Sequence, residues 1–199
     1  MKLSIEESSS LFSGKSRYFL TSDGRIIYKV DANVSIGSRE THIYRSFSSI
    51  GNVPPGTTAD LVENGESYAR IATIEFHQMS PTIFHFAAGR SCSEHELFKG
   101  GETPFGYTYH AREFVGPDGQ TYVWEISSDK PKIIQLYRMN EEVAVYDRAH
   151  LGILNPAGPP TLNIASSVEP MSDLIVITWA FVYALIEQRK RRRRRNMMN

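Results

Sequence analysis

Leu174–Ile186 reads LIVITWAFVYALI, thirteen residues in which Thr178 is the only strongly polar side chain. A helix that is apolar on every side cannot lie on a surface, so protein or lipid must enclose it. Ser172 suits an N-cap, and Asp173 sets a negative charge at the positive end of the helix dipole. A basic run follows: Arg189, Lys190, Arg191, Arg192, Arg193, Arg194 and Arg195. Cations are favoured at that end of a helix.

Lipid fits this stretch poorly. Thirteen residues rise about 20 Å, against a hydrocarbon core of about 30 Å. A C-terminal anchor would also carry the basic run across the bilayer, against the positive-inside bias. As a core helix its length is ordinary. Trp179 and Tyr183, four apart, would share one side, with Phe181 on another. The expectation is a buried helix over 173–188, sheltered by strands of the same chain. A membrane anchor over 174–186 is the alternative.

The rest of the chain supplies those strands. Ten Tyr, ten Phe and two Trp favour a pleated, half-buried surface, and a 41% hydrophobic fraction allows a sizeable core. Of 199 residues, 1–15 are Ser-rich and weakly patterned and are expected to be loosely ordered; 16–188 read as a single domain and 189–199 as a basic tail. Tyr18-Phe19-Leu20 and Arg25–Val30 flank Asp23-Gly24, a hairpin signal because glycine takes the positive φ the turn needs. Glu113-Phe114-Val115 and Thr121–Ile126 flank Asp118-Gly119 in the same way. Phe19 and Phe114 stand at equal distances before their turns, and Tyr44-Arg45 and Tyr137-Arg138 come later in each half, so the two meanders read as a structural duplication. Thr41–Phe47, Tyr68–His77 and Thr82–Phe86 read as further strands, with Ala72, Ile74 and Phe76 on one face and Ile71, Thr73 and Glu75 on the other. Asn52–Thr58, with Pro54-Pro55, reads as a loop. Cys92–Lys99 suits a helical turn capped by Ser93 with Glu96 three residues on, ended by Gly100-Gly101. The fold class expected is mainly β: an antiparallel barrel or two-sheet meander wrapped around the C-terminal helix.

The formal net charge of zero hides an imbalance. Outside the basic run, 15 basic residues face 22 acidic ones, a balance of −7. An acidic body disfavours a broad phosphate-binding surface, so nucleic acid is not the expected partner. Cys92 is the only cysteine, which excludes an intramolecular disulfide and fits a reducing compartment. Glu6 and Glu7 fall where a secretory leader would have its apolar core, so no leader is expected. The expected location is intracellular and cytoplasmic, with nuclear or membrane-peripheral placement open.

The residues also carry a resemblance. Phe114–Trp124 (FVGPDGQTYVW), Ile133–Arg138 (IIQLYR), Val143–His150 ahead of Leu151-Gly152-Ile153-Leu154, and the end Asp173–Arg195 resemble an uncharacterised domain family abundant in mushroom-forming fungi. That family is similar in layout to tubby-like and LURP-one-like proteins and to phospholipid scramblases. The resemblance implies an antiparallel barrel around a hydrophobic C-terminal helix. It brings no catalytic residue, and the basic groove with which tubby proteins bind phosphoinositides has no counterpart placed here.

Motifs for chemistry are sparse. His77, His85, Cys92 and His95 lie close in sequence, but their spacing matches no zinc pattern. No Gly-x-Ser-x-Gly elbow or phosphate-binding glycine loop is present. Cys92 as a nucleophile would need a lowered pKa and a base, for which His95 stands three residues on. No cofactor, metal or small-molecule substrate is implied. The expected function is a non-enzymatic interaction domain of open specific role and partner; Arg189–Arg195 read as a solvated helix end, the commonest fate of such a run, or as the contact for anionic lipid or nucleic acid, with anionic membrane the partner considered first.

Overall fold

A computed structural model describes residues 1–10, 14–34, 39–49, 59–77, 79–99, 102–103, 106–107, 111–126, 131–135, 141–148 and 158–197. The fold is mainly β and antiparallel, with one long helix at the C-terminal end. Two compact units divide the chain: Met1–Leu97 with Ala149–Leu162, and Phe98–Arg148 with Asn163–Asn199.

The first unit holds β1 (Lys2–Ser10), β2 (Gly14–Leu20), β3 (Ile26–Val34), β4 (Arg39–Ser46), β5 (Leu61–Glu63), β6 (Glu66–Phe76), β7 (Ile83–Phe86), β8 (Ser91–Ser93) and the single-turn α1 (Glu94–Leu97). Its ladder runs β1-β2-β3-β4-β6-β7-β8, and β5 pairs with β6 alone. Asp23-Gly24 makes the turn between β2 and β3: Gly24 sits at φ +80°, and its N–H donates to the Thr21 carbonyl at 2.9 Å. Ser93 and Glu96 form the start of α1, the Ser93 N–H donating to the Glu96 carboxylate at 2.6 Å. Alternation sets the faces. Phe19, Tyr28, Val30, Ile43, Ala72, Ile74 and Phe84 are buried on one side, and the intervening residues form the other.

The start of the chain is not loose. Residues 2–10 form β1, registered along β2 from Ser4↔Leu20 to Ser10↔Gly14. Leu3 and Ile5 are buried, and that short alternation anchors a strand whose later serines give no apolar signal.

In the second unit β9 (Glu102–Thr103) pairs with β10 (Gly106–Tyr107). A four-strand meander follows: β11 (Ala111–Val115), β12 (Thr121–Glu125), β13 (Lys132–Gln135) and β14 (Glu141–Asp147). Gly119 takes φ +76° at the β11–β12 turn. Each Asp-Gly hairpin thus lies in its own unit, with the phenyl ring before it fully buried, Phe19 in one and Phe114 in the other. β15 (Thr161–Ile164) crosses from the first unit into the second. On the first unit's side the Ile5 N–H donates to the Pro160 carbonyl, and on the second's the Ala165 N–H donates to Val143, both at 2.8 Å.

A 3-10 stretch, Ser166–Met171, leads into α2 (Ser172–Met197). Ile175, Val176, Trp179, Phe181 and Val182 are buried. Phe181 stacks on Phe98 with centroids 5.3 Å apart, and Trp179 lies between Tyr146 (5.5 Å) and Tyr183 (4.9 Å). The helix does not stop at residue 188 but carries the basic run to Met197.

Among the described residues the strand order does not close into a barrel: it ends at β8 and at β11. β8 has only three residues before the chain turns into α1, and the outer edge of β11 meets one bridge, the Lys99 N–H donating to the Glu113 carbonyl at 2.7 Å. The Pro54-Pro55 loop, Gly100-Gly101, Tyr137-Arg138 and Leu151–Leu154 lie outside the described residues.

Candidate functional site

In the first unit the face opposite the buried side carries a polar belt. Cross-strand register sets Asp31 beside His42, His42 beside Thr73, and Thr73 beside His85; one step along, Lys29 stands beside Tyr44 and Tyr44 beside Arg70. Directly opposed residues of adjacent strands bring their side chains within contact range. A bulge shapes this belt. Ile43 pairs with Ala72 but Tyr44 pairs with Arg70, so Ile71 is the extra residue of β6. An extra residue flips the alternation, and Arg70 takes the position simple alternation assigns to Ile71.

Between these side chains lies an open cavity of about 380 Å³. Glu40, His42, Arg70, Thr73, Glu75 and His85 line it, with Ala72, Phe86 and Ala87. His42 Nδ1 and the Thr73 hydroxyl share a hydrogen bond at 3.1 Å, while His42 Nε2 lies 3.4 Å from Glu40. His85 Nδ1 bonds the Ser91 hydroxyl at 2.8 Å, and its Nε2 stands 3.3 Å from Glu75. The second Glu75 oxygen lies 3.6 Å from His77 Nε2. The hydroxyl–imidazole–carboxylate series Ser91–His85–Glu75 is half open to water and follows the cross-strand pairing of β7 with β8. It is a contact between neighbouring rungs of the strand ladder.

Beside the cavity, Lys29 is almost fully buried. Its ammonium lies 2.6 Å from Glu63 and 3.0 Å from Asp31, with the Tyr18 ring centroid at 5.6 Å. Burial pulls the Lys29 pKa down, but the hydrogen bonds it donates to Glu63 and Asp31 outweigh it and hold the ammonium above its ordinary value. Burial also lifts the neighbouring phenols. Tyr18 and Tyr44 are raised, and Tyr68 is pushed up to about 12 by burial and then by Glu66 and Glu63. Asp31 Oδ1 is buried without a hydrogen-bond partner among the described residues.

The basic run lies elsewhere, on the last turns of α2 in the second unit. Arg191–Arg195 are exposed; Lys190 is half-buried and pairs with Glu187 at 2.8 Å, one turn back. The histidines and cysteine weighed for a metal do not converge. His85 is on β7, Cys92 is buried on β8 and His95 is exposed on α1, and among the described residues no group of three His, Cys, Asp or Glu is placed to hold an ion. Burial pushes the Cys92 thiol up, the wrong direction for a nucleophile.

Sequence reasoning singled out His85 but not Glu40, His42, Arg70 or Thr73. His42, Thr73 and Glu75 were findable as the outward members of alternating strands. Arg70 was not, because only the bulge brings it to that face.

These features define a strand-rich antiparallel chain of two compact units, the first with a polar cavity on one sheet face and the second with a buried C-terminal helix and a basic helical end. The chain belongs to the family of unknown function DUF6593, which it matches over residues 11–192. No curated protein and no solved structure matches it.

Proposed function

We propose that the protein is a non-enzymatic intracellular interaction domain that docks on anionic membrane through Arg189–Arg195. The observation that carries this reading is the continuity of α2: Ile175–Val182 are buried, and the same helix carries Arg191–Arg195 into solvent. The charge is therefore fixed to the body of the domain rather than hung on a loose tail. Like charges three and four apart repel along a helix, and an anionic surface relieves that repulsion. Each basic residue near such a surface contributes about 1 kcal/mol. The intracellular placement rests on the lone buried Cys92. The likeness in layout to fungal domains and tubby-like proteins belongs to this proposal and is supported by the order of elements, strands first and an apolar helix last.

Flotation with phosphatidylserine vesicles tests it. The full chain is expected to float at low salt and to sink at high salt, and a chain ending at Gln188 should not float. Equal flotation of both would remove the basic run from the function. Competition by RNA without vesicle binding would assign the run to nucleic acid.

A second reading, a C-terminal membrane anchor, is favoured by one observation: the helical stretch Ser166–Met197 is long and apolar enough to cross a bilayer by composition. It requires Ile175–Val182 to leave their buried positions. Recovery of the full chain as a detergent-free monomer would sink it.

A further inference from the structure

The cavity on the first unit's polar face holds opposite charges that do not meet. Glu40 and Glu75 are direct cross-strand partners at one end of it. Arg70 pairs with Tyr44 at the other. Four residues of β4, about 13 Å at 3.3 Å per residue, separate Glu40 from Tyr44. Among the described residues neither carboxylate has a lysine or arginine partner; their neighbours are the imidazoles of His42, His77 and His85. The Arg70 guanidinium likewise makes no ion pair or hydrogen bond among them, and the neighbouring carboxylate, Asp60, is held by the Arg70 backbone N–H, which donates to it at 2.8 Å. Elsewhere on the same face charge is matched at short range, as at Lys29 with Glu63 and Asp31. Among the described residues the cavity thus has two carboxylates with only imidazole neighbours at one end, a guanidinium outside any ion pair at the other, and hydrogen-bonding His42, Thr73 and His85 between them, an arrangement complementary to a ligand of the reverse polarity.

We propose that this cavity binds a small dipolar molecule, its ammonium group between Glu40 and Glu75 and its carboxylate or phosphate on Arg70. The volume of about 380 Å³ suits a molecule of amino-acid to dipeptide size. The lining is polar, so an apolar ligand gains little there. Arg70 presents a planar fork of donors that matches a carboxylate or a phosphate in two parallel hydrogen bonds. A single-charged molecule satisfies one end only, so affinity depends on both charges in one ligand.

Titration of the isotope-labelled full chain, followed by the imidazole resonances of His42 and His85, tests the proposal. Glycylglycine and phosphoethanolamine are the dipolar probes; ethylammonium, acetate and inorganic phosphate are the single-charge controls. Both dipolar probes, or one of them, should give saturable shifts with a Kd at least tenfold below every control. Preference for glycylglycine assigns the anion as carboxylate, and preference for phosphoethanolamine assigns it as phosphate. Arg70→Gln and Glu75→Gln should each bring the dipolar probes to the level of the controls. Arg70 is exposed, so a native-like melting temperature is expected in that variant. Absence of saturable shifts, controls that bind as tightly as the dipolar probes, or unchanged binding in Arg70→Gln would overturn the proposal.

Discussion

The indole N–H of Trp124, on β12, donates to the Thr178 hydroxyl on α2 at 2.9 Å, and that hydroxyl donates in turn to the Leu174 carbonyl at 2.8 Å. Both side chains are fully buried. The one polar residue of the apolar stretch thus ties the helix to the meander of the second unit. It also satisfies the donor that a buried tryptophan brings with it.

Thr178→Val keeps the shape and removes the acceptor. A buried donor left unpaired costs about 1–3 kcal/mol, and a loss of that size is expected in urea unfolding. Adding Trp124→Phe to the valine variant should cost about 1 kcal/mol less than the same change in the native chain, because the orphaned N–H has already taken its toll. Additive losses would mean the hydrogen bond contributes nothing.

How far the sequence predicts this arrangement depends on the range of the interactions involved. Leu174–Ile186 announces an enclosed helix by composition, its length favours protein over lipid, and the two Asp-Gly turns announce their hairpins, because each signal is local. β1 escapes because Ser8, Ser9 and Ser10 carry no apolar alternation; its pairing with β2 is what orders it. Nothing local in the sequence marks Lys29 for burial, since the carboxylate that covers it, Glu63, is 34 residues away. Arg70 reads as facing the wrong way, because one bulged residue inverts the alternation. Closure of the sheet depends on how its two end strands are used, and neither β8 nor β11 carries a mark of that in its own residues.

Lys29→Met should destabilise the first unit. It leaves the Asp31 and Glu63 carboxylates without their cation on a largely covered face. Breaking a buried pair costs about 3–5 kcal/mol, and the partial exposure of Glu63 lowers the expected loss to about 2 kcal/mol. Adding Glu63→Gln to Lys29→Met should recover part of it, as chemical denaturation can show. No recovery would mean that packing of the lysine stem, not charge, sets the cost.

Gly14 begins β2 at φ +86°, a conformation that L side chains rarely adopt. A Cβ there would overlap the Ala32 carbonyl oxygen of β3. Strained backbone and backbone contact act together, so Gly14→Ala is expected to cost about 2 kcal/mol or more. A melting temperature unchanged from the native chain would show that the β1–β2 connection relaxes freely.

Alkaline pH should unfold the protein earlier than its ordinary tyrosines alone would predict. The Tyr68 pKa is 10.0 in its ordinary state and about 12 in the fold, so the folded chain holds this proton more tightly than the unfolded one. A group of this sign contributes its full stability below pH 10 and loses it as the pH rises from about 10 to about 12. Tyr18, Tyr44 and Lys29 are shifted in the same direction and add to the loss. Stability measured by denaturant should therefore be level across neutral pH and fall through that window, with tyrosinate absorbance appearing together with unfolding. In Tyr68→Phe the fall should be shallower; an identical fall would show that Tyr68 ionises in the native state as freely as in water.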